Sequence, residues 1–251
     1  MSNFDTFVYA GHGTSEKTGA YDPGAVGNGF KENDLARKIQ AAAKNYLKST
    51  GLNIHYDENN FTDNDTLGNT YKFKSGISIH INSCPGASGV ECYVPLGESY
   101  LGADVTLMNE ISKCLGIPNR GVRSREYNSG TVSQRTNGVK LSGTDYYGEI
   151  RNAWKQGISL NILEVGFIQN DGKKIADRID EIGYIVAKYI ATNCDKSLVK
   201  PVEPKPTAKP VTTSNVVYRV VTGSFKDKSN AEQRIKELKA KGFDAFIDVV
   251  K

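Results

Sequence analysis

The chain has 251 residues, 38% of them hydrophobic, a formal net charge of +4 and a mean hydropathy of −0.45. That length suits one full domain plus a small appendage, and no apolar run is long enough to be a bilayer-spanning helix. The charge is uneven: residues 198–251 hold 11 Lys and Arg against 6 Asp and Glu, while residues 1–197 hold 21 against 22, so the tail is the part suited to an anionic surface.

Met1–Thr6 has neither a basic segment nor an apolar core, so the expectation is a chain without a secretory signal peptide. Phe7–Ala10 reads as a strand running straight into Gly11-His12-Gly13 and a turn-rich loop. Asn33–Leu47 reads as a helix with Leu35, Ile39, Ala42, Ala43 and Tyr46 on one face. Leu52–Tyr56 is a short strand. In Ser75–Ser83, Ile77, Ile79 and Ile81 point one way and Ser78, His80 and Asn82 the other. Gly89–Val94 is a further strand, and Val105, Met108, Ile111 and Leu115 mark a helix closed by Gly116. Residues 119–148, rich in Arg, Ser, Gly, Asn and Thr, read as a long functional loop region or a hairpin. Ile158–Val165 is an apolar strand, and Ile179, Ile182, Val186 and Ile190 mark a last helix. This alternation predicts an α/β domain over residues 1–195, with a mainly parallel or mixed twisted sheet flanked by helices.

Residues 196–215, centred on the Pro/Lys segment Lys200–Pro210, read as an extended linker. Residues 216–251 read as a small β-α-β module. Val216–Thr222 alternates, Ser229-Asn230-Ala231-Glu232 reads as a capping box, and Ala231, Ile235 and Leu238 form an apolar face. Phe243, Ala245, Ile247 and Val249 share one side of the last strand. So short a module buries too little to stand alone.

Three places look out of character. Glu164 lies inside the apolar run Leu160–Phe167, where a carboxylate is costly without a cation, a donor or a proton. His12 and His80 each stand near the end of a buried-looking strand, and ligands collect outside the carboxyl ends of strands in open α/β sheets. Glu32 arrives at a helix start from the turn-rich segment Asp22–Lys31. Imidazole and carboxylate are good zinc ligands, and two His with one Glu leave a coordination position open, the catalytic arrangement. Each residue has a duller reading: a hydrogen-bonded histidine at a strand end, an acid favoured by the helix dipole, an acid paired with an arginine. Their shared placement carries the functional one. His55, inside a short strand away from the Gly-rich loop, is left out. Gly11–Gly19 lacks the Gly-Lys-Ser/Thr register of a phosphate loop, and no Gly-x-Ser-x-Gly elbow is present. Cys84, Cys92, Cys114 and Cys194 form no Cys-x-x-Cys pair and read as small core hydrophobes of a reducing compartment.

Gly11-His12-Gly13, Asp22-Pro23-Gly24-Ala25 with Gly27-Asn28-Gly29 and Glu32, Ser78–Asn82, Gly89-Val90-Glu91 and Leu163–Asn170 together resemble the zinc-dependent N-acetylmuramoyl-L-alanine amidases common in phage endolysins and bacterial autolysins. The resemblance covers residues 4–194. It implies one Zn²⁺ per chain held by His12, Glu32 and His80, with Glu164 as the catalytic acid. A lengthened gap around Thr14–Tyr21 leaves Asp22 and Asp34 open as alternatives to Glu32. Asn82, Arg123 and Arg135 are candidate substrate-binding residues. The tail, through Tyr218–Phe225, Asn230-Ala231-Glu232 and Leu238–Ala245, is similar to the first half of a SPOR-type peptidoglycan-binding domain, and two such halves would pair into a homodimer. The expected partners are peptidoglycan glycan strands and stem peptides, with neither nucleic acid nor membrane insertion. The expected activity is hydrolysis of the amide between muramic acid and L-alanine by a phage endolysin, held in the host cytoplasm until lysis. A zinc stem-peptide peptidase and a non-catalytic wall-binding protein are the alternatives.

Overall fold

A computed structural model describes residues 2–15, 18–57, 60–61, 71–198, 223–243, 245–247 and 249. The chain divides into two compact units, Met1–Lys200 and Pro201–Lys251. No helix among the described residues is long and apolar enough to cross a membrane.

The larger unit is built on a seven-stranded sheet. Its strands are β1 (Thr6–Ala10), β2 (Ile54–Tyr56), β3 (Ser75–Asn82), β4 (Val90–Tyr93), β5 (Asn119–Arg125), β6 (Val132–Gln134) and β7 (Ser159–Phe167), in the spatial order β6-β5-β4-β7-β3-β1-β2. Strands β2, β1, β3 and β7 run parallel, and β4 is antiparallel to β7. β5 runs parallel to β4, and β6 returns antiparallel to β5. The helices are α1 (Glu32–Leu47), α2 (Gly102–Leu115), α3 (Gly148–Lys155), α4 (Ile168–Ala176) and α5 (Ile179–Asn193). The mainly parallel, helix-flanked sheet is the fold class expected from the strand–helix alternation.

Period-two alternation assigns the two faces of the sheet. Val8, Ala10, Ile77, Ile79, Ile81, Cys92, Leu163 and Val165 face one way and join residues of α1, α2 and α5 in the main core. Each large aliphatic side chain fully buried there contributes about 1.5–3 kcal/mol. Phe7, Tyr9 and Leu160 face the other way and pack on Ala153 and Ile158, while Tyr93 and Ile162 pack on Ile150. Helix α3 therefore covers the second face. The direction of the strands then places the site. The carboxyl ends of β1, β3 and β7 emerge at one edge, and antiparallel β4 brings its amino end to the same edge.

One polar group crosses the main core. Asp104 of α2, 3% exposed, accepts hydrogen bonds on Oδ1 from Asn161 Nδ2 at 2.7 Å and the Tyr189 hydroxyl at 2.9 Å. Burial pushes its carboxyl up to about 6.

Residues 119–148 contain the β5-β6 hairpin, with Arg123 opposite Gln134. Two helices were not anticipated. Helix α4 continues from β7 with no turn residue between Phe167 and Ile168. Helix α3 is short and follows directly on the polar segment. Cys84, Cys92, Cys114 and Cys194 form no disulfide, and the reading as core hydrophobes holds only for Cys92, the one that is buried, while Cys84 is exposed.

In the smaller unit, helix α6 runs Lys228–Ala240. It begins one residue before Ser229, with Asp227 at the N-cap position and no side-chain cap hydrogen bond. The capping box expected from Ser229 and Glu232 is therefore not used, because Ser229 already lies inside the helix. Ala231, Ile235 and Leu238 are half-buried. The expected first strand over 216–222 and the linker segment 200–210 lie outside the described residues. The described residues between Phe243 and Val249 lie in no strand, and Phe246 is 81% exposed. A β-segment needs a ladder to join, and none is paired with them among the described residues.

Candidate metal centre and active site

His12 sits two residues past β1 in a left-handed conformation, φ 62°, which turns its imidazole back over the sheet edge. Glu32 opens α1, and His80 lies near the carboxyl end of β3. One ligand atom from each of the three lies within 4.8 Å of the others. The Glu32 carboxylate is the hub, 4% exposed. Its Oε1 accepts from the Ile81 amide at 3.0 Å and lies 2.9 Å from His80 Nδ1. Its Oε2 accepts from the Ala25 amide at 2.8 Å and lies 3.3 Å from His12 Nε2.

Two glycines make this convergence sterically feasible. A Cβ on Gly11 would sit 2.3 Å from His80 Cε1. A Cβ on Gly24, whose φ is already +66°, would sit 2.5 Å from His12 Cδ2 and 2.6 Å from Glu32 Oε2.

The ring nitrogens that face away from Glu32 have partners of their own. His12 Nδ1 lies 2.8 Å from Asp22 Oδ2, and Asp22 Oδ1 accepts from the Gly24 amide at 2.9 Å. His80 Nε2 lies 3.1 Å from Ser78 Oγ and 3.5 Å from Glu149 Oε1 at the start of α3. Asp22 thus stands behind His12 and does not replace Glu32. Asp34, in the first turn of α1, is exposed.

Charge follows this geometry. Burial opposes the charging of His12, but the Glu32 carboxylate, with Asp22 behind, outweighs it and raises the pKa. Burial opposes charging at His80 too, and Glu149 and Glu32 raise it well above the ordinary 6.5. Burial works against the Glu32 carboxylate, yet hydrogen bonds to the two imidazoles hold it far below the usual range.

Glu164 is the register partner of His80 across the β3–β7 pair and of Glu91 across β4–β7. Burial first, then the charges of Glu32, Glu91 and Glu149, outweigh the pull of His80 and push its carboxyl up to about 8. Its Oε2 is buried with no hydrogen-bond partner. A site with two imidazoles and a carboxylate in chelating reach, carboxylates on the outer nitrogens and an orphaned acid oxygen alongside fits a zinc ion.

The candidate substrate-binding residues divide. Asn82 and Arg123 meet at Glu91, which is 2% exposed. Asn82 Nδ2 donates to Glu91 Oε1 at 2.8 Å, and Arg123 Nη1 lies 3.3 Å from Oε2. Arg120 Nε donates to the same Oε2 at 2.7 Å. Arg135 does not join them. Its Nη1 donates to Pro95 O and Ser124 Oγ, and its Nη2 to Glu98 O and Val139 O, all between 2.6 and 2.8 Å. That guanidinium is committed to closing a loop, so Arg135 is a structural residue. The structure adds Glu149 to the neighbourhood and gives Asp22 and Glu91 supporting places in it. Glu91 and Glu164 are both acids in apolar strands, and that shared signal was readable. Glu149 required recognising α3, whose Ile150, Ala153 and Trp154 have helical spacing.

Fold and site together describe an α/β protein with a His-Glu-His cluster and a buried acid at the strand ends. Residues 7–192 match the model of the N-acetylmuramoyl-L-alanine amidase family, and the chain belongs to that family. Residues 198–248 match the SPOR domain. A sporulation-specific N-acetylmuramoyl-L-alanine amidase of Bacillus subtilis (strain 168) is 24% identical over 250 residues, 96% of this chain and 83% of that protein. An endolysin of Bacillus phage SPP1 is 34% identical over 90 residues, 34% of this chain and 31% of that protein. The N-acetylmuramoyl-L-alanine amidase AmiC2 of Nostoc punctiforme superposes with a TM-score of 0.56 at 18% identity, over 78% of this chain and 100% of that one, a likeness of fold. The phage-lysis role expected from the sequence gains no support here, because the phage protein aligns only locally and the sporulation amidase along nearly the whole chain.

Proposed function

We propose that residues 1–195 hydrolyse the amide between N-acetylmuramic acid and L-alanine in peptidoglycan, using one zinc ion per chain held by His12, Glu32 and His80. The observation that carries this reading is the convergence of those three ligands beside Glu164, whose buried oxygen lacks a partner. When bound, zinc would polarise the scissile carbonyl and make a water nucleophilic near neutral pH.

The protein's own groups do the rest. Asp22 fixes the orientation of His12, and Ser78 with Glu149 fixes that of His80, so the nitrogens facing Glu32 are aimed at one point, where an ion would displace their protons. Glu164, which a cation beside it would hold ionised, takes the proton from the attacking water and passes it to the departing alanine amine. Asn82 and Arg123, held on Glu91, border the substrate beside Glu164. Residues 196–215 act as a linker, and residues 216–251 grip the wall as a half-module whose basic charge suits an anionic polymer. Two tails pairing into one sheet would cover the exposed Phe243, Phe246 and Val249. Sedimentation showing only monomers at micromolar concentration would rule out that pairing.

The test of the catalytic reading is product analysis on purified cell walls. Wild type should release alanine amino groups without shortening the stem peptide, and Glu164→Gln should lose about 10²–10⁴-fold in rate. New amino groups from inside the stem would identify a peptidase instead. Unchanged activity in Glu164→Gln would remove Glu164 from the mechanism.

A further inference from the structure

The second face of the sheet carries a cationic strip that the proposed chemistry leaves unused. Val122 and Ser124 of β5 are buried toward the main core, so Arg123 and Arg125 project onto the face that holds Tyr93, Glu91 and Glu164. Arg123 pairs with Glu91, a carboxylate it shares with Arg120. Arg125 does not pair: among the described residues no carboxylate oxygen lies within 4 Å of it.

Its guanidinium is nevertheless well held. Cζ lies 3.7 Å from the centroid of the Tyr146 ring, Nε donates to Gly130 O at 3.3 Å, and it reaches the Tyr147 hydroxyl. A second guanidinium, on Arg151 of α3, lies 4.8 Å over Tyr127 and donates to the Asp145 and Tyr146 carbonyls at 2.8 and 2.9 Å. The Asp145 carboxylate acts on it electrostatically without forming an ion pair within 4 Å. The four tyrosines are linked: Tyr127 to Tyr146 at 6.4 Å, Tyr146 to Tyr147 at 5.3 Å, and Tyr147 to Tyr93 at 4.8 Å between centroids. The strip therefore runs from beside Glu164 outward to the exposed Tyr127.

Positioning the half-buried Arg125 guanidinium on an aromatic ring without a counter-ion is costly unless a ligand supplies the anion. The geometry points to a carboxylate subsite: Arg125, seconded by Arg151, binds a carboxylate on the peptide side of the scissile amide. This deepens the amidase reading and rests on it. A peptide carboxylate is favoured over a sugar because the guanidiniums already occupy the Tyr146 and Tyr127 faces on which a sugar would stack. The charge-assisted N–H groups are what remains free, and arginine's planar fork suits a carboxylate.

The test uses the full chain and two dipeptides that an amidase cannot turn over, L-alanyl-D-glutamate and L-alanyl-D-isoglutamine. They differ only by a carboxylate exchanged for a carboxamide. Affinities are read by NMR titration. Wild type should prefer the carboxylate about tenfold or more. Arg125→Gln should bring that ratio to about one, and Arg125→Lys should restore part of it. No preference in wild type, or equal losses on both dipeptides in Arg125→Gln, would overturn the subsite. Glycan binding lost in Tyr127→Ala but kept in Arg125→Gln, with no carboxylate preference, would replace it with a sugar site. The two readings fail separately. A carboxylate preference without release of alanine amines from peptidoglycan would sink the amidase assignment and leave the subsite. Amine release without the preference would do the reverse.

Discussion

Replacing Asp104 with asparagine should flatten the pH dependence of stability in a calculable way. Asp104 lies on α2 beneath β7, where Asn161, three residues before Glu164, hydrogen-bonds to it. Burial raises its carboxyl from 3.8 to about 6 in the folded protein. An acid raised on folding binds its proton more tightly in the native state, so its stabilisation is full below the unfolded pKa. It is lost as pH climbs through the folded value. The loss corresponds to about 3 kcal/mol between roughly pH 4 and 7. An asparagine keeps the oxygen that accepts from Asn161 and Tyr189 but does not titrate. Urea denaturation at a series of pH values, wild type against Asp104→Asn, isolates this group because the other titrating residues are common to both. The wild type should lose about 3 kcal/mol more than the variant across that interval. Parallel curves would mean that Asp104 titrates as an ordinary acid and that the core around β7 is more hydrated than its burial indicates.

Asp22→Ala should weaken zinc binding by about 10–100-fold in chelator competition, because His12 loses the carboxylate that orients it. Asp22→Asn should fall between that variant and wild type. Arg135→Ala should destabilise the domain by about 3 kcal/mol in urea unfolding, since it strands buried carbonyl acceptors. The stem-peptide KM of the remaining folded protein should stay unchanged, in contrast to Arg125→Gln.

The sheet was legible because its strands carry unmistakable patterns. Ile77, Ile79 and Ile81 alternate with Ser78, His80 and Asn82, and that alternation alone puts His80 on the face opposite the helical core. Glu164 was conspicuous because nothing else in Leu160–Phe167 but Asn161 is polar. Helix α4 was hidden because Phe167 passes into Ile168 without a glycine, a proline or a cap residue. Arg135 was misleading for a different reason. An arginine in a polar segment looks solvated, and only the folded loop reveals four oxygens converging on it. Arg125 and Arg151 carry no sequence signal at all, since their meaning lies in the tyrosines beneath them and, for Arg125, in the absence of an acid within 4 Å among the described residues. Local pattern reports which side of an element is buried. It does not report which long side chains from distant segments meet.

The central claim is that His12, Glu32 and His80 form one zinc site. Elemental analysis of the purified full chain tests it most directly. One zinc per chain is expected in wild type, with near-complete loss in His12→Ala and in His80→Ala while both variants keep native circular dichroism. Full zinc retention in both folded variants would contradict the account.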